Sequence, residues 1–300
     1  MRVRFRFVKL GKVRWTSHRD LARMWERALR RVELPVAYTG GFTPRPKVSF
    51  GLALPTGHES VAEYLDAELE TDEPDVPGLA ARLSPALPAG IDVTAAAVID
   101  GGGGSLQEEV TSCTWELEAV GAGPDEVEAL VERALAAESL VITRTRKGAV
   151  VTDDVRPAIV SARVVGPPAC VAEGYVDHAP GAVLVAELAT QTRSLRPAEL
   201  LLALGLPAQG AARALGLPAQ GAARALGLPA QGAARALGLP APGAARALGL
   251  PAPGAARALG PGLTEGHVRR THQWITRDGA RREPLPLDAT DAPHAEVRAS

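Results

Sequence analysis

Arg2-Val3-Arg4-Phe5-Arg6-Phe7, followed after a turn by Ser17-His18-Arg19-Asp20-Leu21-Ala22-Arg23-Met24-Trp25-Glu26-Arg27-Ala28-Leu29, is the stretch from which the fold can be built. In the first part Val3, Phe5 and Phe7 alternate with Arg2, Arg4 and Arg6, the period of a half-buried strand with a basic outer face. In the second part Leu21, Met24, Trp25, Ala28, Leu29 and Val32 recur at the spacing of one helix face. Ser17 three residues before Asp20, directly ahead of that face, reads as a helix-capping box. Pro35 ends the helix, and strands are expected over 36–39, 48–54 and 61–69, a helix over 76–83 and a strand over 91–99. The order approximates β-α-β-β-α-β, the grammar of a ferredoxin-like sandwich.

A second, less regular half repeats it. Strands are expected over 113–120, 140–146, 158–165, 183–188 and 267–275, with helices over 125–138 and 196–204. The first of these helices is marked by Val127, Leu130, Val131, Ala134 and Leu135 on one face behind Pro124. The expected architecture is α+β: two tandem ferredoxin-like sandwiches, with a low-complexity Ala/Gly/Pro repeat insert. The expected domains are residues 1–100 and 111–275, joined by a Gly-rich linker at 101–110 and followed by a flexible tail at 276–300.

The insert occupies 203–260. Ala203 to Arg213 reads ALGLPAQGAAR, is copied at 214 and 225, recurs at 236 and 247 with Pro242 and Pro253 in place of Gln, and begins a partial copy at Ala258. Each unit carries two Gly and at least one Pro, which cost a continuous helix roughly 5 kcal/mol per unit relative to Ala. A long coiled coil is therefore excluded, leaving a neutral expansion in a loop or a functional array of short helical turns.

Charge is unevenly spread over the 300 residues. Residues 1–50 hold 13 basic and 3 acidic side chains, the remainder 20 and 31, and seven of the eleven Phe, Trp and Tyr residues also lie in the first 50. A basic, aromatic head on an acidic body points to a polyanionic partner. Two cysteines, Cys113 and Cys170, are too few for a cluster held by three or four thiolates, and the six histidines include no i, i+4 pair. Neither a metal site nor a cofactor is expected. The N-terminal residues show no apolar signal core, and no run is long and clean enough to cross a bilayer, so a cytoplasmic protein without membrane contact is expected.

Several residues invite a chemical reading. Ser17, His18 and Asp20 hold the ingredients of a hydrolytic triad, but their spacing fits a cap; His18 stays open as surface residue, ligand or acid–base catalyst. Arg19, Arg23, Arg27, Arg30 and Arg31 avoid the apolar stripe, giving either a solvated face or one that tracks phosphates. In Gly41-Phe42-Thr43-Pro44-Arg45-Pro46-Lys47-Val48-Ser49-Phe50, two prolines stiffen a backbone that projects Arg45 and Lys47 between aromatics. That suits single-stranded nucleic acid, or a loop whose aromatics fill the core. Over 61–69 strict alternation puts Glu63 on the apolar face, where it needs a cation such as Arg14 or Lys47, and puts Tyr64 and Asp66 on the other face.

Three motifs, Arg14-x-x-Ser17-His18-x-Asp20, the 41–50 loop and Gly57-x-x-Ser60-x-x-Glu63-Tyr64-x-Asp66, resemble the radical SAM-linked protein family, also called the DUF2344 domain. The likeness is close over 1–70; Leu195-Arg196-Pro197-Ala198-Glu199-Leu200 is similar to the family's short helix before the last strand, and Thr43 replaces the more usual Asn or Ser. The resemblance implies a chain either fused behind a radical SAM enzyme or, in the standalone actinobacterial-type form, found near a ribonuclease E/G. It also implies that any radical chemistry belongs to the partner. The expected function is an RNA-binding accessory module presenting tRNA or rRNA, with Arg14, Arg19, Arg23, Arg27, Arg30, Phe42, Arg45 and Lys47 on RNA. The alternatives are an RNA-cleaving or RNA-modifying enzyme using His18, and a protein-binding scaffold.

Overall fold

The computed structural model describes residues 1–71, 76, 78–99, 104–146, 149–169, 180–191, 194–205 and 263–285. The core of the Gly-rich join (101–103), Cys170, all but the first three residues of the repeat region and the last fifteen residues of the expected tail lie outside them. The fold is mixed α+β, with a large mixed sheet and few helices. No helix among the described residues is long and apolar enough to cross a membrane.

The chain divides into two compact units, Met1–Glu116 with Ala189–Thr192 and His267–Ser300, and Leu117–Leu188 with Arg193–Gly266. In the first, β1 (Arg2–Lys9) leads through a 3-10 turn (Gly11–Trp15) into α1 (His18–Arg31). Then follow β2 (Val48–Phe50), β3 (Glu59–Glu68), α2 (Leu79–Leu83) and β4 (Ile91–Ile99). β1 pairs antiparallel with β3, Phe5 opposite Leu65, and with β4, Phe5 opposite Ala96; β2 adds antiparallel to the far side of β3. Residues 36–39 do not form a strand; they hold only isolated bridges, Val36 with Leu69 and Tyr38 with Pro46, because the prolines at 35, 44 and 46 supply no N–H to a ladder.

Alternation in β1 decides what the helices cover. Val3, Phe5 and Phe7 are fully buried with Leu21, Trp25, Ala28 and Leu29 of α1, and the Trp25 ring meets Phe7 edge-on at 4.9 Å between centroids. Burying three aromatics in one layer contributes several kcal/mol, roughly 2 to 3 per ring. The opposite face of β1 is not the open basic surface that its alternation suggests. After α3 (Leu106–Glu109) and β5 (Ser112–Val120), the chain passes through the second unit and returns as β10 (Thr264–Arg277) and β11 (Ala280–Arg282). Arg4 is buried beneath the returning segment and donates to the Pro284 carbonyl at 2.8 Å, while Arg6 meets Glu283 at 3.2 Å. β10 runs parallel to β3, with Arg269 opposite Glu59 and Arg270 opposite Ser60.

The second unit holds α4 (Pro124–Ala136), β6 (Val141–Arg146), β7 (Ala149–Asp154), β8 (Ile159–Gly166), β9 (Gly181–Ala189) and α5 (Pro197–Gly205). β8 and β9 pair antiparallel, and β6 with β7 forms a separate hairpin, Val141 opposite Asp154. The expected α4 stripe is buried at Val127, Leu130, Val131 and Ala134. β7 is the strand that sequence reading passes over: Val150 is exposed and the segment ends in two aspartates, so its alternation is weak and its register comes from the partner strand.

Candidate nucleic-acid interface

Helix α1 begins as its cap predicts. The Ser17 side chain accepts from the Asp20 N–H at 3.2 Å and donates to the Asp20 carboxylate at 2.7 Å. This sets the rotation of the helix: with Leu21, Trp25 and Leu29 buried, Arg19, Arg23, Arg27, Arg30 and Arg31 are all exposed. Two are tied within the helix, Arg23 to Asp20 at 3.3 Å and Arg30 to Glu26 at 3.6 Å, exposed pairs of little energetic weight. Arg19 and Arg27 have no ion-pair partner among the described residues. His18 packs edge-on against Phe50, 5.1 Å between ring centroids, and has no hydrogen-bond partner among the described residues that would orient it for proton transfer.

The 41–50 loop closes on itself through Thr39. The Thr39 N–H donates to the Arg45 carbonyl at 2.9 Å, and its hydroxyl accepts from the Arg45 N–H at 3.0 Å. The Arg45 side chain is exposed, and Phe42 is fully so, with Tyr38 partly exposed. Phe42 therefore fills no core. Phe50 is half-buried against the α1 layer, and Lys47 pairs with Glu68 at 2.9 Å, which draws the Glu68 carboxyl below its usual range.

Three carboxylates of β3 organise the interior. Asp66 accepts from Arg4 Nε at 2.7 Å and Nη2 at 2.9 Å, a bidentate buried pair. Glu63 is buried as expected, but its cation is neither Arg14 nor Lys47. It is Arg270, whose Nη2 and Nε lie 2.6 and 3.1 Å from one Glu63 oxygen. Arg14 is held by Glu59 and Lys47 by Glu68, so neither is available to it. Burial works against the Arg270 charge, and Glu63 with Cys113 more than offsets it, raising the guanidinium pKa. Tyr64 shares the Asp66 face, as alternation predicts, and donates to Glu283 at 3.4 Å; burial first, then that carboxylate, raises its pKa.

Glu59 is the third. It accepts from the Gly11 N–H at 2.8 Å, Arg14 at 3.4 Å and Arg269 at 3.0 Å, and lies 3.0 Å from His267 Nε2. Burial alone would raise its pKa; the donors outweigh that and hold it at about 2. Beside it the Lys9 ammonium is buried and donates to the carbonyls of Arg14 and Thr16 at 3.3 and 3.1 Å. Its pKa is lowered by burial, with Glu63 opposing and Arg270 assisting.

The expected site residues thus fall into two sets. Arg19, Arg23, Arg27, Arg30, Phe42 and Arg45 reach the surface on α1 and its neighbouring loop, whereas Glu63, Tyr64 and Asp66 are buried anchors of the sheet. Arg269, Arg270 and Glu283 escape sequence reading because their β3 partners lie some two hundred residues away, and Glu59 because it precedes the alternating run of β3, which reaches Glu63, Tyr64 and Asp66. No group of three or more His, Cys, Asp or Glu side chains placed to hold a metal occurs among the described residues.

A search of curated proteins returned no match. The profile of a family described as "Uncharacterized protein conserved in bacteria (DUF2344)" matches residues 2–197. That span holds the capped helix, the 41–50 loop and the three buried β3 carboxylates, and on it the chain belongs to the DUF2344 family.

Proposed function

We propose that this protein is an RNA-binding accessory module, which holds structured RNA on α1 and the 41–50 loop for an RNA-modifying or RNA-processing partner. The observation that carries the reading is Phe42: a fully exposed aromatic on a loop braced by Thr39, which also leaves the Arg45 side chain exposed. An exposed ring has no packing role, and its cost in water is offset when a base stacks on it. The α1 arginines extend the charge, with five guanidiniums against two carboxylates along the helix.

The finer readings rest on the same footing. A ferredoxin-like first unit is supported by antiparallel neighbours in the order β4-β1-β3-β2 with two intervening helices. A tRNA or rRNA ligand and a radical SAM enzyme or ribonuclease E/G partner are suggested by the family resemblance, which is an associational warrant.

Fluorescence anisotropy of the full chain with a folded tRNA across a salt series, against duplex DNA of equal charge, tests the reading. Selective binding of the tRNA with affinity falling steeply in salt supports it. Equal affinity for both, or none at low salt, overturns it.

A further inference from the structure

The Glu59 cluster gathers a second set of cations, carried by the turn before α1 and by β10 and not by α1 or the loop. Both oxygens of the buried carboxylate are occupied, yet the groups around it carry more charge than it can neutralise. Two guanidiniums, Arg14 and Arg269, share this one acid, and their side chains remain 33% and 37% exposed. Each meets Glu59 through one terminal nitrogen. A guanidinium has five N–H donors in a planar fork, so both arginines keep donors for an outside anion.

Trp15 follows Arg14 in the chain and is 64% exposed. Its six-membered ring rests against Gly57, whose φ of +93° no side chain adopts readily and where a Cβ would come 2.9 Å from the ring. The Arg14 guanidinium lies 5.4 Å from the indole centroid. The platform is fixed from below: the buried Lys9 ammonium holds the carbonyls of Arg14 and Thr16, one on either side of Trp15 in the chain. The Gly57 N–H donates to the Arg14 carbonyl at 2.8 Å, closing the two turns together. Placing an indole in water beside charges already oriented by a buried acid gives a preorganised pair of binding groups, a flat apolar surface and an anion fork.

We propose that Trp15, Arg14 and Arg269 form a binding site for a nucleoside 5′-phosphate, the phosphate on the two guanidiniums and the base on the indole. A free mononucleotide and the phosphorylated 5′ end of an RNA present this same chemistry. The site does not rest on the reading of α1 and the loop, since a mononucleotide engages one base and one phosphate.

Equilibrium dialysis of the full chain with radiolabelled AMP, adenosine, inorganic phosphate and a short oligoadenylate with 5′-phosphate or 5′-hydroxyl tests it. AMP should bind at least about tenfold more tightly than either adenosine or phosphate, a gain of the size expected for one stacked base. Trp15→Ala, a change at an exposed side chain, should weaken AMP about tenfold and leave phosphate unchanged. Arg14→Gln should weaken both ligands, with circular dichroism confirming the fold. Preference of the 5′-phosphorylated oligonucleotide over AMP assigns the site to RNA ends, and parity assigns it to free nucleotides. AMP binding no tighter than phosphate, or unaltered in Trp15→Ala, overturns the proposal.

Discussion

Arg270 reaches Glu63 across 207 positions of chain, its Nη2 and Nε 2.6 and 3.1 Å from a single carboxylate oxygen, with the guanidinium also donating to the Leu52 carbonyl at 2.8 Å. Its plane lies over the Trp115 ring, 5.3 Å from the centroid. Both side chains of the pair are more than nine-tenths buried, so neither charge has recourse to water if the other is removed.

Arg270→Met should therefore cost about 3 to 5 kcal/mol, most of it the uncompensated Glu63 charge. The double variant Glu63→Leu with Arg270→Met should recover a large part of that loss. Urea denaturation of the three proteins decides the point, and a single-variant cost below about 1 kcal/mol would show that the pair is not isolated from solvent.

Acid should act through Glu59. Its carboxyl is held at about 2 in the folded chain against an ordinary 4.5. A depressed carboxyl adds stability that is full above the higher value and disappears as pH falls to the lower one, here on the order of 2 kcal/mol. The stability gap between the natural protein and Glu59→Gln should be widest above pH 4.5 and narrow steadily towards pH 2, read by chemical denaturation at stepped pH. A constant gap across that window would sink the linkage.

At Gly90 the backbone φ is +88°, and a Cβ would fall on the carbonyl oxygen of Leu10, a residue whose N–H donates to the Gly90 carbonyl at 2.8 Å. Neither backbone can give way without breaking that bond. Gly90→Ala should lose about 2 kcal/mol or more, visible as a lowered melting temperature.

For the interface, Arg19→Ala with Arg27→Ala should reduce the slope of log affinity against log salt by about two, one for each phosphate no longer neutralised. Phe42→Ala should leave stability within about 0.5 kcal/mol of the natural protein. It should still weaken RNA about tenfold, as the loss of one stacked base requires. Loss of affinity with the salt slope unchanged in the arginine variant would remove α1 from the interface.

How far the sequence could be read follows from the range of each interaction. Strand β1 and helix α1 were legible because Val3, Phe5 and Phe7, and Leu21, Trp25 and Leu29, repeat within a few residues of one another. The cap at Ser17 was legible for the same reason. Arg4 was not: its alternation matches a solvated strand face, and α3 together with the segment at 283–285 makes that face an interior. Tyr64 and Asp66 were placed on the correct face of β3, yet their partners Glu283 and Arg4 required knowledge of which strands meet. Glu59, at the start of β3, lay outside the alternating run and gave no local signal of the four donors that surround it.

The parallel pairing of β3 with β10 has a consequence for synthesis on the ribosome. Glu59 and Glu63 emerge early, but Arg269 and Arg270 follow only some two hundred residues later. At bacterial elongation rates the delay is roughly 10 to 40 seconds, long compared with the closing of helices and hairpins. During that interval Glu63 has no guanidinium to meet it and Glu59 has Arg14 alone, and the start of β3, beyond the reach of β2, lacks the strand that will pair with it. The nascent chain is then a substrate for holding factors, and shortening the region between α5 and β10 should speed the arrival of the native state without changing what that state is.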